Sequence, residues 1–221
     1  MIGVKSSVLL TIFCSSCITY NVRPIPTPEF ERMLVRSSQE PVAVGADPYV
    51  EADRQIAVFD ASLTEVGVLA VQILIQNRGE QPVLINPGKL LLRLPHGKEI
   101  APVEARAVVA KFNRDYGKSF DRAAVAFGLI GAAVAIAASS TSEKAQADRH
   151  LDYATKELKK VVIEKGGSMH GFVFFILPFD AGTLNDSTLT VPCFGADETI
   201  SVVVKLPFAK TGAKEAATLV K

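Results

Sequence analysis

Three histidines are the side chains in this sequence best suited to acid–base chemistry or metal binding, and their positions argue against both. His96 lies in a predicted turn, His150 on a charged helix face and His170 in a predicted strand. No two of them have the short spacing with which a helix presents two ligands to one metal ion. Ser168 resembles a catalytic serine no better, because His170 stands where the G-x-S-x-G elbow requires glycine and a strand follows. The sequence therefore predicts no metal site, no cofactor and no enzymatic activity.

The cysteines near the N-terminus indicate a different chemistry, the attachment of lipid. Lys5 is the only charged side chain among the first twenty residues, residues 8–13 are apolar, and two serines precede Cys17. These are the parts of a secretory signal peptide, and the apolar run is too short to span a bilayer. The segment resembles a bacterial lipoprotein signal, which implies removal of residues 1–16 and acylation of Cys17. Cys14 fits this role less well, because it follows a bulky phenylalanine.

The same resemblance predicts where the mature protein lies. In Gram-negative lipoproteins an aspartate directly after the acylated cysteine signals retention in the inner membrane, and this chain has Ile18 there. We therefore expect a lipid anchor in the outer membrane and a protein that faces the periplasm. The alternatives to a lipoprotein signal at the N-terminus are a plain secretory signal and an N-terminal anchor. After cleavage and acylation Cys193 would keep the one free thiol, so no intrachain disulfide is expected.

Prolines mark the segment that follows the acylated cysteine. They are Pro24, Pro26, Pro28 and Pro41. Proline disfavours both helices and central strands, so residues 17–46 are predicted to form an extended tether, with a short helix around residues 29–36. Asp47–Pro48 then predicts the start of a helix, because aspartate caps a helix and proline suits its first turn.

Short apolar segments separated by turn residues predict a β-sandwich. The predicted strands are residues 67–76, 83–85, 90–94, 99–103, 161–163, 168–177, 189–191 and 199–206. Two segments, NRGEQPVLINPGKLLLRLPHGKEIAP and EKGGSMHGFVFFILP, resemble the immunoglobulin-like domain of many bacterial envelope lipoproteins in their order of strands and turns. That resemblance implies an immunoglobulin-like fold over residues 47–208 and an envelope location. It implies no functional residues. Residues 209–221 are predicted to form a C-terminal tail.

Helical periodicity interrupts these strands over residues 104–160. The predicted fold class is therefore α+β, an immunoglobulin-like antiparallel β-sandwich with an inserted segment of about three helices. The first helix has an apolar face made of Ala105, Val108, Val109, Phe112 and Tyr116. Ser140 and Glu143 match a capping box and predict that a separate third helix begins there. Its predicted buried face is Ala147, Leu151, Ala154, Leu158 and Val161.

The second helix of the insert, residues 123–138, has no charged or polar side chain. A helix that is apolar on every side is either buried in protein or in contact with lipid. Gly128, Gly131, Ala132 and Ala135 form a face of small residues, which lets helices approach closely. At about 1.5 Å per residue the run reaches roughly 24 Å, less than the roughly 30 Å of a hydrocarbon core. A simple membrane span is not expected, and burial and lipid contact are both open.

These features predict a lipid-anchored envelope protein that acts as a binding or structural accessory module. Its expected partners are the membrane, through the lipid, and an envelope protein or further copies of the chain. The alternative is a membrane-active or self-associating protein that uses the helical hairpin of residues 121–160. The formal net charge of +1 gives no electrostatic reason to expect nucleic acid as a partner.

Overall fold

The structure is a computed structural model that describes residues 20–115, 130–178, 184–196 and 198–206, and the side chains of these residues except 130–142. Within these ranges the protein is α+β, with two antiparallel sheets and three α-helices. The helices are α1 (Ala52–Phe59), α2 (described over residues 105–115) and α3 (Ile130–Lys156). The strands are β1 (Val35–Gln39), β2 (Val42–Tyr49), β3 (Val68–Asn77), β4 (Val83–Ile85), β5 (Leu91–Arg93), β6 (Glu99–Ile100), β7 (Val161–Ile163), β8 (Ser168–Ile176), β9 (Thr188–Phe194) and β10 (Thr199–Lys205).

Sheet A contains four strands in the order β1-β2-β3-β8. Strand β3 lies at its centre, and nine of its ten residues are buried. The near-continuous run of valine, leucine and isoleucine in β3 follows from burial on both faces of the sheet. The free edge of β8 is covered in part by short bridges from Val103 to Phe174 and from Glu157 to Phe172.

Sheet B is built around β9. Strand β10 pairs with β9 along one side, and β4 and β5 pair with opposite ends of its other side. A 3-10 turn at Pro87–Lys89 separates β4 from β5, and Asn86 Oδ1 accepts a hydrogen bond from the Gly88 amide at its start. Strand β7 then pairs with β4, and β6 pairs with β5.

The two sheets and the helices form three layers. One apolar core lies between the sheets, where Val71 and Ile73 of β3 and Val173 of β8 share a cluster with Val191 and Val202 of sheet B. A second core lies on the opposite face of sheet A. There the side chains of α1, α2 and α3 cover the sheet, so that sheet A is the middle layer.

The strand predictions from 67 to 206 are confirmed in position, and so is the first helix of the insert. Ala105, Val108, Val109 and Phe112 are buried as predicted. Phe172, Phe174 and Phe175 are core residues, and Cys193 is a buried free cysteine. Tyr116 and the tail predicted at residues 209–221 lie outside the described residues.

The prediction of a tether over residues 17–46 is wrong over its described part. β1 and most of β2 occupy residues 35–46, and Tyr20 and Met33, which lie before them, are buried in the fold. The helix start predicted at Asp47–Pro48 is also wrong. Both residues lie in β2, and the helix begins at Ala52. The β1 ladder ends opposite Ala46, so Pro48 lies where β2 has only β3 as a paired neighbour. That position reduces the number of ladder hydrogen bonds its missing N–H can break.

The predicted division between the second and third helices is wrong as well. α3 is continuous from residue 130 to residue 156, so Ser140 and Glu143 do not cap a new helix. Its predicted buried face is wrong too, because Ala147 and Leu151 are exposed. Leu158 and Val161 lie beyond the end of the helix. No helix among the described residues combines the length and the apolar character that a bilayer crossing requires.

Candidate functional site

The residues that the sequence singled out are only partly described. Cys17 and Gly128 lie outside the described residues. Gly131, Ala132 and Ala135 lie in the first two turns of the described α3, where only the backbone is described. Their predicted role in helix packing or membrane contact therefore stays a prediction.

The histidines lie at separate places in the structure. His96 is in the turn between β5 and β6, His150 is exposed on α3, and His170 is half-buried in β8. No three His, Cys, Asp or Glu side chains among the described residues meet in a way that could hold a metal ion.

The structure instead brings together a set of polar side chains that the sequence did not single out. We call it the Tyr20 cluster, and it consists of Tyr20, Arg149, Asp152, Tyr153 and Lys156. Four of its members come from the last two turns of α3, and Tyr20 is the first described residue of the chain. The cluster packs against the C-terminal end of α1 on the face of sheet A that the helices cover.

The end of α1 explains why polar groups are needed at this place. Asp60 adopts a left-handed conformation with φ 53°, and its amide bonds to the Ile56 carbonyl, so the helix stops there. The last carbonyls of a helix have no partner within it, and a buried carbonyl without a partner is destabilising. Lys156 Nζ donates to the Val58 oxygen at 2.6 Å, and Tyr153 donates to the Phe59 oxygen at 3.0 Å. Side chains of α3 therefore cap the C-terminal end of α1.

A buried ion pair lies at the centre of the cluster. The Asp152 carboxylate accepts hydrogen bonds from both Lys156 Nζ and the Tyr20 hydroxyl. The side chains of Lys156 and Asp152 are only 1% and 2% exposed. Burial lowers the pKa of Lys156, and the hydrogen bond and charge of Asp152 oppose that change. Burial, followed by the hydrogen bond to Asp152, raises the pKa of Tyr20 well above its ordinary value, so this phenol stays protonated.

Aromatic rings surround the ion pair. Phe59 makes edge-to-face contacts with Tyr153 and Phe172, with ring centroids 5.3 Å and 4.9 Å apart. The Arg149 guanidinium lies 5.0 Å from the Tyr20 ring centroid and 4.5 Å from that of Phe112 on α2. Such cation–π contacts are favourable, especially where water is excluded. Through Arg149, α3 therefore contacts both Tyr20 and α2.

Residues 20–34, which we call the N-terminal segment, are held along their length by further contacts. The Asn21 amide donates to Asp60 Oδ2 at 3.3 Å. The Pro26 carbonyl accepts a hydrogen bond from Gln72 Nε2 at 2.8 Å. Met33 is buried against Gly45, where a β-carbon would lie only 2.6 Å from Met33 Cγ. The N-terminal segment is therefore part of the folded body and covers one face of sheet A.

α2 and α3 run in opposite directions. The Glu157 carboxylate accepts a hydrogen bond from the Ala105 amide at the start of α2, whereas Phe112, two turns later, meets Arg149 of α3. Beside this pairing, the Leu158 amide donates to the Phe172 oxygen at 2.8 Å. The end of α3 is thus fixed to the edge of β8.

This arrangement joins elements together, and the sequence pattern did not reveal it. Asp152 and Lys156 are spaced like the exposed ion pairs that decorate an amphipathic helix. Among the described residues of α3, the apolar spacing of Ala147 and Leu151 gave the stronger signal, and it marked the exposed face. The one indication of the true face is Tyr153, a large ring among charged neighbours.

The chain is similar to several solved structures, but no comparison assigns it to a protein family. No protein-family model matches the sequence, and no curated protein matches it. Solved structures similar to the chain include the yjhA protein from Bacillus subtilis, at 12% identity over 56% of this chain and 55% of that one, with a TM-score of 0.31. The candidate lipoprotein ycdA from Bacillus subtilis is similar at 9% identity over 77% of this chain and 38% of its own, with a TM-score of 0.39.

A functionally unknown protein from Listeria monocytogenes is also similar, at 9% identity over 79% of this chain and 82% of that one, with a TM-score of 0.36. The chain thus spans 55% and 38% of the length of the two Bacillus structures. Similarity at this level does not establish a shared function.

Proposed function

We propose that this protein is a lipid-anchored component of the bacterial cell envelope, acylated at Cys17, whose sandwich acts as a binding or structural accessory module at the membrane surface. The immunoglobulin-like character of the sandwich belongs to the same proposal, and so does its location on the periplasmic side of the outer membrane. Two antiparallel sheets packed face to face are the architecture that such domains share.

The observation that carries the proposal is the short distance along the chain between the acylation site and the folded body. Tyr20 is buried and hydrogen-bonded in the Tyr20 cluster, and it follows Cys17 by only three residues. A lipid on Cys17 would therefore be joined almost directly to the body. The folded body thus begins within three residues of the cysteine that follows the apolar targeting segment. This arrangement is what we expect of a protein that functions at the membrane surface.

The test of the anchor compares two neighbouring cysteines. The full chain is expressed with Cys17→Ala or Cys14→Ala and fed a fatty acid that carries a chemical tag. We expect Cys17→Ala to lose the tag and leave the membrane fraction, whereas Cys14→Ala keeps both. Retention of the tag by Cys17→Ala would contradict the proposal, and so would its loss from Cys14→Ala alone.

The accessory role is tested at the outer face of sheet B. Val162 and Val203 are both 50% exposed there and lie on the layer farthest from the helices. Photo-reactive amino acids at these positions in cells should form a discrete adduct with one envelope protein, and an exposed residue on α1 such as Asp53 serves as the control. Equal, diffuse adducts at all three positions would argue against a specific partner on this face.

One observation favours the alternative, a self-associating hairpin. Leu151 is 69% exposed on α3, and Ala147, one turn earlier, is exposed with it. If this face joins copies of the chain, Leu151→Glu should convert oligomers to monomers while the circular dichroism spectrum is unchanged, and His150→Glu, on the same turn, should not. Gly131→Leu tests the small-residue face in the same assay. A monomeric wild-type protein would remove the alternative.

A further inference from the structure

The exposed surface around the first described residues is of interest because it follows the proposed acylation site by only a few residues in the chain. Val22 is 66% exposed although Tyr20, two residues earlier, is buried. Ile56, which is 44% exposed, lies on α1 one turn before Asp60, the residue that binds the Asn21 amide. Two aliphatic side chains thus face solvent near the point where the described chain begins.

The length of chain in front of Tyr20 limits how far this surface can lie from the anchor. A fully extended chain spans at most about 3.3–3.6 Å per residue, so three residues reach about 11 Å. The tether predicted over residues 17–46 would have reached roughly 100 Å by the same measure. Because the N-terminal segment is bonded to Asp60, Gln72 and Asp152, it cannot supply that extra length without leaving the fold.

One basic side chain on this surface can contact a lipid headgroup. Arg23 follows Val22, and its side chain is 46% exposed, with its guanidinium 3.8 Å from the Asp60 carboxylate. An arginine at such a distance keeps donors for phosphate, and long basic side chains place their charge at a membrane interface while their stems cover apolar surface. Aliphatic groups beside an arginine are therefore compatible with the boundary between headgroups and acyl chains.

We infer that the surface formed by Val22, Arg23 and Ile56 lies directly on the lipid bilayer that holds the acyl chains of Cys17, so that the helical layer faces the membrane and sheet B faces away. This inference rests on the proposed acylation of Cys17. It goes further, because it fixes which side of the body is available to a partner.

The experiment uses the lipidated full chain in vesicles and a matched pair of valines. Val22→Cys and Val203→Cys are each made in a Cys14→Ala background and labelled with a fluorophore that responds to membrane contact. Cys193 does not compete for the label, because it is buried and burial raises the pKa of its thiol to about 11. Val203 lies on the outer face of sheet B, so both sheets separate its side chain from the helical layer. Packed layers are about 10 Å apart, so this position is roughly 20 Å from the helical layer.

The vesicles contain phosphatidylglycerol and phosphatidylethanolamine, with or without a lipid that carries a nitroxide quencher near its headgroup. We expect the fluorophore at position 22 to lose intensity with the quencher and to emit at shorter wavelength, whereas the fluorophore at position 203 changes in neither respect. A fluorophore at Ile56→Cys should show the same quenching and the same shift in emission as the one at position 22. Equal quenching at positions 22 and 203, or none at position 22, would overturn the inference.

Mass spectrometry of the same samples separates the two ways of failing. A chain without acyl groups at Cys17 would overturn both the anchor and the contact surface. An acylated chain whose position 22 is not quenched would leave the anchor in place and remove the contact surface alone. A second variant with twelve Gly and Ser residues inserted after residue 18 keeps the anchor but frees the body. We expect it to lose quenching at position 22, and quenching as strong as in the parent would show that the short connection is not the cause.

Discussion

Asp152 and Lys156 lie one helical turn apart on α3 and form an ion pair from which water is almost fully excluded. The same carboxylate accepts a hydrogen bond from Tyr20, which is 132 residues earlier in the chain. The lysine reaches past its partner to the Val58 carbonyl at the end of α1. One pair of side chains thus connects α1, α3 and the N-terminal segment, and its removal should affect all three.

Lys156→Met should destabilise the protein strongly. The substitution leaves the buried Asp152 carboxylate without its cation and the Val58 carbonyl without its donor. Breaking a buried pair by removing one partner lowers the free energy of unfolding by about 3–5 kcal/mol. Urea unfolding followed by far-ultraviolet circular dichroism measures this change, with the exposed Lys144→Met on the same helix as the control. Equal midpoints for the two variants would contradict the structure.

The double variant Asp152→Leu with Lys156→Met asks how much of that loss is due to an unpaired charge. Replacing a whole buried pair by apolar side chains is often neutral or stabilising, so the double variant should unfold at a higher urea concentration than Lys156→Met alone. A double variant less stable than the single one would mean that the pair itself, rather than charge balance, stabilises this site.

Tyr20→Phe should loosen the N-terminal segment without unfolding the sheets. A hydrogen bond to a charged group contributes about 1.5–3 kcal/mol, and 1.4 kcal/mol corresponds to a factor of ten in an equilibrium constant. Amide hydrogen exchange over residues 21–34 should therefore quicken by about tenfold or more, while β3 keeps its protection. Val22→Ala, at an exposed position, is the control and should leave exchange as in the parent. Faster exchange in β3 would mean that Tyr20 supports the whole core.

Eight of the ten described strands were predictable because their signals are local. β3, β4 and β7 to β10 are short apolar runs between turn residues, and each lies where its pattern indicates. β2 was missed because its alanine, glycine, aspartate and proline residues have low strand propensity. It is held by pairing with β1 on one side and β3 on the other, and those contacts are not encoded in its own composition.

The Tyr20 cluster could not be predicted for a related reason. A charged residue on an amphipathic helix is normally solvated, and nothing in the spacing of Asp152 and Lys156 distinguishes this pair from a surface pair. What makes it a buried pair is the end of α1, nearly a hundred residues earlier, which presents carbonyls that require donors. The need arises from tertiary structure, so the sequence pattern alone did not reveal it.

Alkaline pH should destabilise the protein through its buried phenols. Burial raises the pKa of Tyr20 and Tyr49 above the ordinary value of 10.0. Above pH 10 the unfolded chain therefore loses protons that the folded protein keeps, and the free energy of unfolding falls as the pH rises. Below that pH the contribution is fully present. Lys156 acts in the opposite sense up to its ordinary value of 10.5, because burial lowers its pKa.

Comparison with Tyr20→Phe isolates the contribution of one phenol from these opposing effects. The stability of the variant should fall less steeply between pH 10 and pH 11.5 than that of the parent, when both are measured by urea unfolding at each pH. Parallel pH profiles would mean that Tyr20 ionises in the folded protein as readily as in the unfolded chain, which its contact with Asp152 argues against.

Gly171→Ala should separate the end of α3 from sheet A. A β-carbon at position 171 would lie 2.7 Å from Leu158 Cα and 2.8 Å from Leu158 N, and these are backbone atoms that cannot rotate away. Such overpacking lowers the free energy of unfolding by about 1–3 kcal/mol. Leu158 lies two residues after the end of α3. Its hydrogen bond to the Phe172 carbonyl should lengthen, and exchange of the Leu158 amide should quicken.

Gly88→Ala is the matched control, since its β-carbon would meet no atom closer than 3.5 Å. Thermal unfolding of both variants, together with hydrogen exchange at residues 150–160, reads the two effects separately. Faster exchange in Gly171→Ala would link the edge of β8 to the stability of the Tyr20 cluster, because Lys156 lies two residues before Leu158. A Gly171→Ala protein as stable as Gly88→Ala would show that this edge yields without strain and that the cluster is held by α1 and the N-terminal segment alone.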